Sequence, residues 1–568
     1  MLKRHLLLSA MILVGINSQT IAQTQKADLI IRGGSILTME GQTPQYVEAV
    51  AVSNGKIIFT GSNKEVNQFK SNKTVVKDLK NKVMLPGFID PHSHFIDSLA
   101  LSDRINVSAP PVGPASDPKQ IVAELKKGAE QKKLKPGELL IGYGYDDNLM
   151  PQGQALSRDI LDQAFPKNPV VILHVSMHGA VLNSKGFEQY GYKDGMETPE
   201  GGVILRQKDG KKLQGLVMEM AFLPVFSNLP GPTPENEVAA AQAGQAMYAA
   251  AGITTAQEGA THNVQLKQLM RIANKDGLYI DLVTYPFITD LEEVWKTHPP
   301  ETFGKYNRHL KLGGCKITAD GSPQGKTAWF TTPYLTGGPA GQKDWKGEPG
   351  IPPAQMKAAM QKCYDKGLQL MMHSNGDAAI DYLLKTHAEV AAQDVSKDRR
   401  TVCVHCQFVR PDQLPLLAKY KIIPTMFTDH TFFFGDTHIK NRGLAQASFL
   451  SPMKSALAAG LKPTNHTDAF VVPINQMMTV WTAVNRPLRS GGVLGPDERI
   501  GAFDALKMIT TNAAYQYREE DMKGSVKVGK LADFVVLSAD PTKIDPMKIR
   551  DIQVLETIKE GKTIFSLK

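Results

Sequence analysis

Apolar and polar positions along the chain change their rhythm twice. Between 27 and 83 they alternate in short runs, ADLIIRGGSILTM, EAVAVSNGKIIFTGS and KTVVKDLKNKVMLP, punctuated by Gly and Asn. Period-two alternation with β-branched residues and tight-turn residues predicts an antiparallel sheet. The far end repeats the pattern in GSVKVGKLADFVVLSADP and IQVLETIKEGKTIFSL. Two β-rich ends around a long middle predict one small sheet domain built from both, with boundaries near 84 and 523. The middle instead alternates short apolar runs with helical patterns. Strands are predicted over 88–92, 252–258, 280–287, 312–319, 369–373, 401–407, 422–427 and 462–467. Helices are predicted between many of them, for example over 354–366 and 380–391. Eight strands in β–α alternation predict an α/β fold, a (β/α)8 TIM-like barrel over 85–522. Some 160 residues separate the first two strands, far more than an ordinary connection holds, so an insertion over about 97–241 is expected.

Composition narrows the class. The 568 residues are 42% hydrophobic and 21% charged, enough for a sizeable core and incompatible with global disorder. Only four are Cys, which excludes a disulfide scaffold. Cys403 and Cys406 flank a His in an apolar strand-like run and read as buried thiols, because alternate strand residues face opposite ways. The net charge of +9 is spread in mixed runs with no basic helix or aromatic-interleaved patch, so no nucleic-acid partner is expected.

Lys3 and Arg4 precede an apolar run over 6–16, and Thr20-Ile21-Ala22 follow. A charged start, a short apolar core and a small residue at the end predict a cleaved secretory signal over 1–22. The run is too short to span a bilayer, and no membrane association is expected after cleavage. Export, to a bacterial periplasm or beyond, is the expected destination, with a homodimer kept as an option.

The chemistry gathers at strand ends. In LPGFIDPHSHF (85–95), His92 and His94 are two apart, so period two puts both imidazoles on one face. His373 ends LQLMMH, His405 lies in TVCVHC, Asp468 follows KPTNHT, and Lys316 lies within LGGCKITADGS. In a barrel the C-terminal strand ends converge, making these six positions neighbours. Imidazoles on rigid backbone with a carboxylate suit a divalent ion, zinc above all. His262, His298, His309 and His387 read as solvated, and His430 and His438 as lining the mouth or solvated. Asp377 reads either as holding a ligand through a hydrogen bond or as capping a helix. The Gly- and Pro-rich loop 333–353 reads as a mobile lid.

These residues resemble the amidohydrolase superfamily, in its amidohydrolase-3 branch of YtcJ-like and N-substituted formamide deformylase-like proteins. The likeness runs over nearly the whole chain, most specifically in the HxH segment, MMHSNGDAAID and GKLADFVVL. It implies a barrel flanked by a β-sandwich from both termini. It implies that His92, His94 and Asp468 ligate one metal, and His373 and His405 a second. Lys316 matches the fourth-strand Lys that reacts with CO2 in two-metal members to give a bridging carbamate. The implied reaction is hydrolysis of a C–N bond in a small amide (N-acyl, N-formyl or cyclic) by metal-activated water. Asp468 would shuttle the proton, and His178, in VSMHGAVLNS, would orient the substrate or steady the oxyanion. Thr467 stands where Ser is usual, Phe470 where Pro is usual, and GYGYDDN (142–148) replaces a Gly-Trp form. The rivals are a heterocycle deaminase, which carries a Glu soon after the fifth-strand His and lacks the Lys, and a non-catalytic metal-retaining binding protein.

Overall fold

A computed structural model describes residues 25–567; the predicted signal over 1–22 lies outside them. The two alternating ends meet in one eight-stranded sheet. Leu29–Leu37, Tyr46–Ser53 and Lys56–Gly61 form its N-terminal half, and Phe534–Leu537, Val554–Lys559 and Lys562–Ser566 its C-terminal half. The halves join where Phe534–Leu537 runs antiparallel to Val83–Pro86. Both hairpin turns use the positive φ that the tight turn demands, at Asn54-Gly55 and Glu560-Gly561.

The middle holds two runs of parallel strands. In one, Phe88–Ile89, Ile253–Thr261, Asp281–Pro286 and Leu310–Leu312 pair in that order. In the other, Gly314–Thr318, Gln369–Ser374, Val402–His405, Ile423–Met426 and Thr464–Asn465 follow in chain order. The single strand expected over 312–319 is therefore two, parted at Gly313. The reason is local: a side chain at Gly313 would strike the Tyr285 ring, and its N–H donates to Thr284 O at 2.8 Å. A bridge between Phe287 and Lys316 links the two runs. Helices Pro353–Asp365 and Asp377–Ala391 lie close to where the apolar pattern predicts them. This is a mixed α/β architecture of the TIM-barrel-like kind. Apolar side chains of the terminal sheet (Leu37, Leu85, Val535, Leu537) enter the same core as the barrel strands, so the two parts pack on each other.

A fourth sheet fills the long gap after the first barrel strand. Its order is Gly202–Arg206, Leu213–Glu219, Gly179–Leu182, Val170–His174, Leu140–Tyr145, Ile105–Asn106. Its strands are buried on both faces. Val170 and Ile172 enter one core with Leu125 of helix Pro118–Gln131, while Val171 and Leu173 enter another with Phe187 and Phe222. Helix Glu237–Ala250 then returns the chain to the barrel, burying Ala241 and Tyr248 in its core.

Cys403 and Cys406 are buried free thiols, as expected. Cys315 and Cys363 form a disulfide, which sequence spacing of 48 residues did not suggest. Among the described residues no helix is long and apolar enough to cross a membrane. The loop 333–353 is tied down rather than free. Phe330 N bonds Lys346 O, Tyr334 N bonds Trp345 O, and Gly350 N bonds Ala319 O.

Candidate metal centre

The six predicted residues come together at one end of the parallel strands. Lys316, His373 and His405 stand on neighbouring strands, Gly314–Thr318, Gln369–Ser374 and Val402–His405. His92 and His94 follow Phe88–Ile89, and Asp468 follows Thr464–Asn465. Two backbone bonds stitch these last segments together: Asp468 N to His92 O at 3.1 Å, and His94 N to Ala469 O at 3.0 Å. His405 and Asp468 both hold positive φ, 66° and 49°, a strain of the kind that gathers at functional sites.

Hydrogen bonds choose which nitrogen each imidazole offers. Gln257 donates its amide to Pro91 O and Tyr517 Oη, both at 2.9 Å, so its Oε1 must face His92 Nδ1, 2.5 Å away. His92 therefore donates from Nδ1 and keeps a lone pair on Nε2. That Nε2 is buried without a hydrogen-bond partner, as is Asp468 Oδ1, which lies 3.4 Å from it. His94 points Nε2 at the same oxygen, 3.5 Å away, and Nδ1 toward Glu258 Oε1 at 3.8 Å. Glu258 is held in turn by Ile96 N at 2.7 Å. Asp320 receives His373 Nδ1 at 3.0 Å and three backbone N–H groups, from Trp329, Asn375 and Gly376. His405 Nδ1 lies 3.2 Å from His466 Nε2, and the rings of His373 and His405 are 4.6 Å apart. Asp90, wholly buried, accepts Thr467 Oγ1 at 2.5 Å and so anchors the turn carrying Asp468. Thr467 supplies the hydroxyl that the usual Ser would give.

Two orphaned buried polar atoms facing each other inside a ring of imidazoles fit a divalent ion. Ligand atoms of His92, His94 and Asp468 lie within 4.8 Å of one another. The electrostatics agree. Burial pushes His92 and His405 well below the usual imidazole range, with Lys316 adding to the shift at His92. Burial also opposes charge on His94, but Asp468 and Glu258 outweigh it and lift that group to about 10, which marks a place where positive charge is stabilised. Lys316 is 2% exposed, and burial pulls its ammonium down to about 8 against the opposing pull of Asp468 and Glu258. Asp468 itself stays well below the carboxylate range, because the imidazoles of His405, His94 and His92 overcome its burial.

The centre opens into a cavity of about 260 Å³ lined by His94, Lys316, His373, His405 and Asp468. The inserted sheet supplies the facing wall. Its strand Gly179–Leu182 starts just after His178, and Leu213–Glu219 ends at Glu219, with Glu219 N bonded to His178 O at 2.8 Å. His178 Nδ1 meets Glu219 Oε2 at 3.0 Å, and its ring lies 5.4 Å from that of His373. Burial disfavours charge on His178, but Glu219 more than restores it, raising the imidazole above its ordinary value.

Several residues differ from their sequence reading. His262 lines the cavity beside Phe287 rather than standing in solvent, and its Nδ1 bonds Asp290 at 2.8 Å. His387, His430 and His438 are buried; His430 and His438 bond each other at 3.0 Å. Asp377 holds no ligand. It accepts Thr331 N at 2.9 Å and pairs with Arg410, and Gly376, not Asp377, caps the helix. The residue that does orient His373 is Asp320. Gln257, Glu258, Asp320 and Glu219 went unread in the sequence. No local pattern marked the first two, because the strand that carries them, Ile253–Thr261, also holds three Thr.

Comparison with known proteins agrees with this geometry. A family described as the amidohydrolase family matches residues 75–565. The N-substituted formamide deformylase of Arthrobacter pascens is 25% identical, over 95% of this chain and 98% of its own. Protein LONG AFTER FAR-RED 3 of Arabidopsis thaliana is 26% identical, over 95% and 92%. A solved structure of an uncharacterized metal-dependent hydrolase from Pyrococcus horikoshii superposes with a TM-score of 0.71 at 22% identity, covering 91% of this chain and 99% of that one. The chain belongs to the amidohydrolase family, metal-dependent hydrolases acting on carbon–nitrogen bonds.

Proposed function

We propose that the chain is an exported hydrolase of small amides, N-formyl, N-acyl or cyclic, working with one or two zinc-class ions. The observation that carries this reading is the unpartnered pair His92 Nε2 and Asp468 Oδ1, 3.4 Å apart beside three further imidazoles and a lysine. His92, His94 and Asp468 would hold one ion, and His373 and His405 a second. Lys316 would join them as a carbamate: its neutral amine adds to CO2, a C–N bond forms and one proton leaves. Lowering its pKa to about 8 raises the share of neutral amine at pH 7 well above that of an ordinary lysine, to about a tenth. A bound ion supplies Lewis acidity at the scissile carbonyl and makes hydroxide accessible near pH 7.

The protein's own groups do the rest. Asp468 takes the proton of the attacking water and returns it to the leaving nitrogen as the C–N bond breaks. His178, whose protonated form Glu219 favours, donates to the oxygen as it gains charge. The products are a carboxylic acid and an amine.

The parallel runs are read as halves of one barrel, joined at Phe287–Lys316 and at the His92–Asp468 stitch. The terminal sheet is read as the flanking sandwich. The Cys315–Cys363 disulfide supports an oxidising compartment, and with it the proposed secretory signal over 1–22. Against deamination stand Ser374-Asn375 after His373, where a Glu would be needed, and the presence of Lys316. The test is a screen of N-formyl, N-acyl and cyclic amides with the zinc-loaded protein. Release of carboxylate and amine is expected. Ammonia from heterocycles alone, or no metal-dependent turnover of either class, would overturn the reading.

A further inference from the structure

A second cavity, of about 360 Å³, lies at the seam between the inserted sheet and the barrel. Val471 lines both this cavity and the catalytic one, and its N–H bonds Asp468 O at 2.7 Å. One side chain thus stands between the two spaces, three residues along the chain from Asp468. Apolar groups dominate the walls, among them Tyr143, Leu149, Phe433 and Phe470. Phe470 is one of the family departures seen in the sequence, and Gly144 and Asp146 of GYGYDDN line the same space.

One cation stands in these walls. The Arg489 guanidinium lies 5.6 Å from the Phe433 ring centre and 5.9 Å from that of Phe432. Its Nε is buried with no hydrogen-bond partner, and among the described residues it makes no ion pair within 4.0 Å. The carboxylates of Asp146 and Asp436 pull on this half-buried guanidinium only from beyond ion-pair distance, so beside its aromatic rings it keeps an unused donor for a closer anion. Its planar fork matches a carboxylate. Asp146 lines the cavity too, but both bonds from Asn148, N at 3.0 Å and Nδ2 at 3.1 Å, occupy its Oδ1. Burial pushes that carboxyl upward, toward its neutral form.

We infer that this cavity is the distal compartment of the substrate site, seating an apolar substituent that ends in a carboxylate bound by Arg489. The inference rests on the amide-hydrolase reading and narrows its substrate to amides with an apolar spacer and a terminal acid. Val471 sets where the chain of the substrate crosses from one space to the other.

The test uses N-formyl ω-amino acids of increasing chain length and their methyl esters, with the zinc-loaded full-length protein. The acid-over-ester ratio of kcat/KM should exceed ten at one optimal length, residing in KM. It should fall near one in Arg489→Gln and stay intermediate in Arg489→Lys, which keeps the charge without the fork. Thermal melts identify any variant that is misfolded, and Arg489→Lys then carries the comparison. A ratio near one at every length in the wild type, or a ratio unchanged in Arg489→Gln, would overturn the inference while leaving amide hydrolysis standing. Calorimetric binding of 4-phenylbutyrate against 4-phenylbutanol separates the two claims. Tenfold tighter binding of the acid, lost in Arg489→Gln, upholds the compartment even if no amide turns over, and equal binding of acid and alcohol counts against it.

Discussion

A single amide decides how the first imidazole of the centre behaves. Gln257 cannot turn over without losing its bonds to Pro91 and Tyr517, so His92 is locked as the Nδ1–H tautomer with Nε2 facing Asp468. Gln257→Leu removes the acceptor and frees the ring. Zinc affinity, measured by chelator competition, should fall about 10–100-fold, as is usual when such a supporting bond is lost. Asp468→Asn should retain zinc yet lose about 10³-fold or more in kcat, since the amide cannot carry the proton. Near-normal turnover would remove the shuttle role. Lys316→Ala should lose zinc, and a short carboxylic acid should restore it; unchanged metal content would argue against any bridging role. At this scale the sequence was half legible. His92 and His94 could be read because period two is geometric. Gln257, Asp320 and Glu219 could not, because each acts only on a neighbour that folding brings from 165, 53 and 41 residues away.

Between elements, the join of terminal sheet and barrel is electrostatic as well as apolar. Asp281, on strand Asp281–Pro286, meets Lys523 at 2.6 Å and Lys559, on strand Val554–Lys559, at 2.8 Å. Lys311 and Lys523 also pair with Glu519 beneath it. All are buried. Burial raises the Asp281 carboxyl, but the two ammonium groups override it and hold it well below the usual range. A depressed carboxylate stabilises the fold above its unfolded pKa, about 4, and that stability is lost as pH falls through the folded value. The melting temperature of metal-free protein should therefore drop on acidification below about pH 4. Asp281→Asn leaves two buried ammonium groups short of a partner and should cost about 3–5 kcal/mol in denaturant unfolding near pH 7. A change under about 1 kcal/mol would show that water reaches the cluster and screens it. Strand order was legible from apolar periodicity. The break at Gly313 was not, since it depends on the Tyr285 ring of another strand. The loop 333–353 read as mobile from its Gly and Pro content, but that pattern says nothing of the backbone bonds that tie it to 319 and 330.

Across the whole molecule, two parts of the chain meet at one cavity. The barrel brings the ligand set and the inserted sheet brings His178 and Glu219. The terminal sheet packs on the barrel core and contributes none of the cavity lining. The sequence announced the insertion through its length, but not that it forms a wall of the site, because no local pattern encodes a contact between domains. A ligand that binds only the folded protein adds RT ln(1 + [L]/Kd), about 4 kcal/mol at a thousandfold excess over Kd, so zinc should raise the melting temperature and chelation should lower it. Zinc-edge anomalous diffraction from crystals soaked in zinc puts the central claim to the most direct test. The account predicts a peak between His92 Nε2, His94 Nε2 and Asp468 Oδ1, with any second peak beside His373, His405 and Lys316. No peak there at saturating zinc, or peaks only elsewhere, would contradict it.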